Sequence, residues 1–192
     1  MGRAPVHESK KLLDAAIALA VAGGPSAVTM QGVAAAVGAP SGSIYHRFAS
    51  RAELLADVWL SAAERFQDDW WTAAEREPSA GEIAAFTVRW ARTNRALATI
   101  LSVHRVEDFL TPEAPPDQQR RARALRAARA RFAQLAERLL GTNDSAAVAR
   151  LVFALVTIPL AALRDPLSAG APIDHDVEDL VREAASALAR RA

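Results

Sequence analysis

The chain contains no cysteine. That absence excludes a disulfide framework, a thiol nucleophile and any cysteine-based zinc site. It also lacks charge of a dominant sign: 23 Lys and Arg stand against 22 Asp and Glu, leaving a formal charge of +1. Bulk charge therefore gives no sign of nucleic-acid binding, and such a role needs cations gathered locally. Long β-branched runs are missing, and strands are hard to find. With 51% hydrophobic and 23% charged residues, 192 residues are enough for a well-buried core in one or two domains. The N-terminus has no apolar stretch of the signal-peptide kind. Met1-Gly2 is not followed by Ser or Thr at residue 6, so the myristoylation pattern fails too. A cytoplasmic protein is expected. No nucleophile–base pair and no phosphate loop is visible, which argues against an enzyme and against a bound cofactor.

What is present is helix. No repeat of fixed period occurs, and the Ala/Arg-rich segments keep helical periodicity. Arg3 lies in a loose N-terminal arm, with Lys10 and Lys11 following. These cations suit phosphate or groove contact as well as plain solvation. A first helix is expected from about Glu8 to Ala22, with Leu12, Leu13, Ala16, Ile17 and Ala20 on its apolar face. Gly23-Gly24-Pro25 stops it.

The most informative stretch follows, Thr29 to Leu55. Thr29 suits a helix N-cap, and Val33, Ala34 and Val37 make an apolar stripe. Gly38 ends that helix, because glycine enters the left-handed region without steric cost. Pro40 fits the first turn of a second short helix, about Pro40 to Arg47, with Ile44 and Phe48 pointing inward. Ser41, Gly42, Ser43, Tyr45 and His46 are left on the outer side. Ser50 caps a third helix, with Glu53 as its capping-box partner. Two helices joined by a tight glycine turn read as a helix-turn-helix, whose second helix enters the major groove. Read without that function, the same pattern is a helical hairpin with a solvated polar face. Arg51 sits in a first helical turn, where an acid is the usual choice. A cation there makes sense against a phosphate.

The residues Gly38-Ala39-Pro40-Ser41-Gly42-Ser43-Ile44-Tyr45-His46-Arg47-Phe48, then Ser50-Arg51 and Leu54, resemble the DNA-binding motif of TetR-family transcriptional regulators. The resemblance runs from about residue 8 to about residue 60. Pro40 stands where the family has Ser, and Arg51 where it has Lys, which keeps the charge but changes its geometry. The resemblance implies a DNA-binding domain over residues 1–50 and an effector-binding and dimerisation domain over 51–192. The expected fold is all-α: a three-helix headpiece with the helix-turn-helix, plus a helical body, about nine helices in total. Tyr45 and Arg51 are expected on phosphates. Thr29, Gln31, Ser41, Gly42, Ser43 and His46 complete the expected contacts to double-stranded DNA, a palindromic operator read by a homodimer.

The helix from Ser50 carries Leu54, Leu55, Val58, Trp59, Ala62 and Phe66 inward and should end between Trp71 and Pro78. In TetR-like proteins this helix transmits the effector signal. Trp70 and Trp71 are adjacent and cannot share one core line, so either one lines a pocket or both serve packing. Ser79 with Glu82 starts another helix. Residues 96–110 read as a further short one. In it His104, Glu107 and Asp108 have the spacing of metal ligands, but a surface ion-paired group explains them better, so no metal site is expected. A proline-rich break, Pro112 to Pro116, precedes a long basic helix from about Asp117 to Leu140, whose arginines read as a solvated face. Gly141 ends it. Ser145 starts a helix apolar nearly all round. Its length approaches a membrane span, but Arg150 and Pro159 interrupt it. Such a helix needs cover on every side, its own core on one and a partner on the other. With the last helix it makes the expected dimer surface, residues 145–164 and 173–190, a four-helix interface by the resemblance. The resemblance also implies a small-molecule effector, apolar or amphipathic. Trp70, Trp90, Asn94, His104 and Phe109 are the candidate pocket residues, chosen as aromatic or polar groups within apolar helices. Core packing explains each of them as well. The competing reading is a helical interaction module without a DNA role.

Overall fold

Alanine and leucine at helical spacing fold Ala4–Gly23 into α1, which starts a turn earlier than the sequence suggests. A computed structural model of the chain describes residues 4–40 and 42–190, and only the backbone of residues 4–8 and Arg126. The Arg3 arm and Ser41 lie outside the described residues. Leu12, Ala16, Ile17 and Ala20 of α1 are buried. In α2 (Met30–Ala36) the Thr29 hydroxyl oxygen accepts the Gly32 N–H at 2.9 Å, capping the first turn.

Helix α3 (Arg51–Arg76) is the spine of the molecule. Its 26 residues span about 39 Å. The Ser50 hydroxyl accepts the Glu53 N–H at 3.1 Å, and the Glu53 carboxylate accepts from Ala49 N–H at 2.7 Å. The capping box thus closes one residue earlier than its usual form. Leu54, Leu55, Val58, Trp59 and Ala62 pack with α1 and α2 in one core. Phe66, Trp70, Trp71 and Ala74 belong to a second core further along. The apolar stripe of one helix therefore enters both halves of the chain.

The body follows. Ser79 caps α4 (Ala80–Thr93), accepting the Glu82 N–H at 3.3 Å. Helix α5 (Arg95–Ser102) is shorter than the 96–110 segment expected. Beyond it a single turn, Val106–Asp108, is pinned by the Asp108 carboxylate accepting from the Arg105 N–H at 3.2 Å. The basic helix is also not continuous. It divides at Ala127–Ala128 into α6 (Pro116–Arg126) and α7 (Arg129–Leu140). The Gln67 side-chain amide donates to the Leu125 carbonyl at 2.8 Å, and a side chain inserted into the ladder is a recognised cause of a kink.

Helix α8 (Ser145–Val152) starts at Ser145 as expected, and Asp144 caps it, accepting the Ala147 N–H at 2.8 Å. The apolar helix then widens through a π segment, Phe153–Thr157, and continues as α9 (Ile158–Ser168). In the π segment the Ile158 N–H reaches the Phe153 carbonyl. Pro159 follows at once and has no N–H to offer Leu155, so the widened register falls where the α-ladder fails. Pro166 is carried inside α9 as well. The last helix is α10 (His175–Leu188). No strand occurs among the described residues, and the fold is all-α as expected.

An arginine–glutamate network joins α4 to α10. Glu178 is 8% exposed. It accepts from Arg89 at 3.1 Å, from Arg182 at 2.9 Å and from Arg92. Glu82 accepts from Arg182 at 2.7 Å and from Arg89 at 3.2 Å. Desolvation pushes the Glu178 carboxyl up, but the bonds from Arg92 and Arg89 outweigh it and hold the group below its ordinary value. The Arg182 hydrogen bond foremost does the same for Glu82. A carboxyl lowered on folding contributes stability above its unfolded pKa, and that contribution is lost as pH falls through the folded value. Glu178→Gln is therefore expected to cost about 1–2 kcal/mol at neutral pH, since the arginines stay partly solvated. It should also flatten the fall in thermal stability below about pH 4.3. Melting curves from pH 7 to pH 3 check both. An unchanged acid limb would place the acid sensitivity elsewhere.

Candidate nucleic-acid interface

The turn between α2 and the next element is set by Gly38, at φ 68°. That value lies in the left-handed region, where a side chain would be strained. The following element is shorter than the expected Pro40–Arg47 helix: it is one 3-10 turn, Ser43–His46. Both donors of Ser43 go to the Pro40 carbonyl, the N–H at 2.9 Å and the hydroxyl at 2.7 Å. At the other end the Ile44 carbonyl accepts from Arg47 and Phe48 N–H groups at 3.0 and 2.9 Å. With both ends closed so locally, the ladder does not lengthen.

Ile44 and Phe48 point inward, Phe48 at 2% exposed, and fix the turn onto the core shared with α1 and α3. The outer side is then Gly42, Tyr45 and His46, with Gln31 and Thr29 exposed on and before α2. Tyr45 is 57% exposed. Gly42 has an ordinary φ of −72°, and an added Cβ would meet nothing within 4 Å. Among the described residues nothing requires a glycine here, although glycine weakens a helical turn by roughly 1 kcal/mol relative to alanine. Open space at this position leaves the backbone free for close approach to a surface outside the chain. Ser43 is half-buried and its hydroxyl proton is spent on Pro40, so its oxygen is left to accept. Thr29 is the reverse, with its oxygen engaged by Gly32 and its hydroxyl proton free of that bond.

Arg51 has partners the sequence did not suggest. Its Nε donates to the Val28 carbonyl at 2.7 Å and its Nη2 to the Pro25 carbonyl at 2.7 Å. The guanidinium clamps the α1–α2 connection to the start of α3. Its Nη1 takes no part in these two bonds. Lys10, Lys11 and Arg47 are exposed, and no ion pair neutralises them among the described residues. Arg47 was missed by sequence reasoning. Its signal was a cation between the outward His46 and the inward Phe48, on a turn already assigned to DNA.

The five candidate pocket residues do not converge. Trp70 is buried and donates from Nε1 to the Thr87 hydroxyl at 3.2 Å. Trp90 donates to the Asp69 carboxylate at 2.9 Å, and with Asn94 it borders a cleft of about 560 Å³ between α3 and α4. His104 and Phe109 stand edge to face, ring centroids 5.8 Å apart, on the headpiece side. Phe109 belongs to the core shared by α1 and α2, and Trp70 to the core of the body. Among the described residues no group of three His, Cys, Asp or Glu could hold a metal, and Asp108 is spent on Arg105. Of the adjacent tryptophans it is Trp71, not Trp70, that borders open space. It lines a cleft of about 420 Å³ between α3, α6 and α7 with Glu64, Gln67, Arg121, Leu125 and Arg131. The basic face of α6 and α7 is only partly solvated, since Arg121 pairs with Glu64 at 2.7 Å.

Residues 12–58 match the family described as bacterial regulatory proteins, tetR family. No curated protein matches the chain significantly. Among solved structures, the fatty acid degradation regulator FadR from Bacillus halodurans is similar in fold, with a TM-score of 0.67 and 14% identity. That match covers 94% of this chain and 97% of the other. FadR from Bacillus subtilis in complex with stearoyl-CoA also gives 0.67, at 10% identity over 95% and 98% of the two chains. The multidrug binding protein EbrR, complexed with imidazole, gives 0.61 at 23% identity over 94% of each. At such identities the structural likeness speaks for the fold.

Proposed function

We propose that the chain, whose residues 12–58 match the tetR family of bacterial regulatory proteins, is a regulator of that family and no enzyme, a dimeric repressor of an inverted-repeat operator. The observation that carries the reading is the outer side of the Ser43–His46 turn. There an exposed Tyr45 and an unforced Gly42 sit on a rigid base of Ile44 and Phe48. Each turn would enter a major groove, at a spacing of ~34–36 Å or a multiple within the dimer. Tyr45, Arg47 and Arg51 would hold phosphates. Gln31, Gly42 and His46 would approach bases or backbone, and Ser43 would accept from a base amino group. Residues 1–50 act as the DNA-binding unit and 51–192 as the effector-binding and dimerisation unit, with α3 common to both cores. A protein with such a target works in the cytoplasm.

A small effector in the body would regulate the dimer. Two proteins of this fold hold a small molecule, stearoyl-CoA in one and imidazole in the other. In this chain α3 runs from the cap at Ser50 past the clefts lined by Glu64, Gln67 and Trp71. A ligand that favours one placement of α3 thereby favours one separation of the headpieces, and only such differential binding shifts the equilibrium.

The test is a titration of labelled DNA from upstream of the protein's own gene across a salt series. The expected result is saturable, sequence-selective binding whose logarithm falls with slope of about −0.9 per phosphate neutralised. Weak binding equal for every duplex, including those selected from random pools, would refute the DNA reading and leave a dimeric interaction module.

A further inference from the structure

Arg131 lays its guanidinium on the indole of Trp71, with the central carbon 4.0 Å from the ring centroid. The rest of Trp71 is enclosed: Trp70 and Phe132 meet it edge to face at 4.8 and 4.9 Å. Arg131 thus covers a prepared aromatic face. It also stands between two clefts. One, of about 420 Å³, lies towards α6, and the other, of about 210 Å³, lies along α7; Trp71 and Arg131 border both. If Arg131 swings out, the two become one space with the indole as its floor.

Little holds Arg131 in place. Besides the indole it meets Glu75 at 3.5 Å, and both side chains are mostly solvated, 51% and 74% exposed. An exposed pair of that kind is weak. The neighbouring arginines are committed elsewhere. Arg121 is bidentate on Glu64, Nε to Oε1 at 3.0 Å and Nη2 to Oε2 at 2.8 Å. Arg138 donates to the carbonyls of Ala74, Glu75 and Glu77. Once Arg131 leaves, the freed groups are an electron-rich aromatic face and the Glu75 carboxylate.

We propose that this is a ligand site with Arg131 as its removable plug, built for a flat organic cation of the amidinium or guanidinium type carrying an apolar body. The ligand's cation replaces the guanidinium over Trp71 and takes Glu75 as counter-ion. Its apolar part fills the joined cleft against Leu125 and Leu135. An anion gains nothing from this face, because the ring quadrupole repels it. The inference names a ligand class for the effector reading above, and rests on that reading only for its consequence on DNA. The consequence is direct: Trp71 and Gln67 belong to α3, and Gln67 holds the α6–α7 break through the Leu125 carbonyl.

The experiment is calorimetric titration of the full chain, without DNA, with benzamidinium, and with benzoate and benzyl alcohol as controls. Arg131→Ala removes the internal competitor and should bind benzamidinium about tenfold tighter than the parent. Benzoate and benzyl alcohol should gain nothing. Glu75→Gln in the Arg131→Ala background should remove most of the gain. Arg131→Gln serves the same purpose should the alanine variant melt early. Equal benzamidinium affinity in parent and variants, equal gain for benzoate or benzyl alcohol, or no binding at all would overturn the proposal. Since no DNA is present, failure here is separate from failure of the operator titration.

Discussion

Phe153→Glu combined with Leu180→Glu is expected to leave the chain monomeric and to lower operator affinity by more than about a hundredfold, the loss of two-site avidity. The argument rests on where the apolar surface goes. The helix Ser145–Ser168 is long and apolar enough to cross a membrane, yet only 39% of its most apolar window is buried within one chain. Leu151, Ala154, Leu155 and Leu163 face the body core. The opposite side carries Phe153, 51% exposed, with Leu160 half-buried two turns on. On α10, Val181 and Ala185 are fully buried, whereas Leu180 is 65% exposed and Ala184 is half-buried one turn on. Two neighbouring helices thus leave apolar residues outward, and a second copy of the same surface is the economical cover for them. The two substitutions touch only outward positions, so the fold should survive them. Sedimentation and the operator titration check the outcome. A variant that stays dimeric and binds DNA like the parent would move the interface to another surface.

What could be read in the sequence was what is decided within a few residues. Thr29, Ser50 and Ser79 cap because a hydroxyl one turn before a free N–H needs no tertiary help. Gly38 ends α2 for an equally local reason. Ile44, Phe48 and the α3 stripe were legible from spacing, because one buried face imposes a period. The features missed depend on distant partners. The α6–α7 break is tied to Gln67, 58 residues upstream of the carbonyl it binds, and no glycine or proline marks it. His104 and Phe109 face the headpiece side because α5 stops at Ser102 and a pinned turn carries the chain back. The choice between Trp70 and Trp71 was made by Thr87 and Phe132, neither of which their own spacing reveals. Helix α8 starts at Ser145 as read, and Asp144 before it caps the first turn, its carboxylate accepting the Ala147 N–H.

Arg51→Ala is expected to lower both stability and DNA affinity, and Arg51→Lys to separate the two effects. The guanidinium ties the Pro25 and Val28 carbonyls to the first turn of α3. These bonds hold the connection that aims α2 and, through it, the Ser43–His46 turn. Removing them should cost about 1–2 kcal/mol, given their partial exposure, and so lower the melting temperature by roughly 2–8 °C in a chain of this size. The free Nη1 is what remains to meet a phosphate, and its loss should reduce the salt slope by about one. Lysine keeps the charge but is a point donor, unable to span two carbonyls as the planar fork does. The lysine variant should therefore show the lower melting temperature with the salt slope retained. If the alanine variant keeps the parent slope, Arg51 is a clamp alone, and the phosphate contact passes to Arg47 or Tyr45. If instead the melting temperature holds and the slope falls, the two carbonyl bonds contribute nothing to the headpiece, and the charge at residue 51 serves the DNA alone.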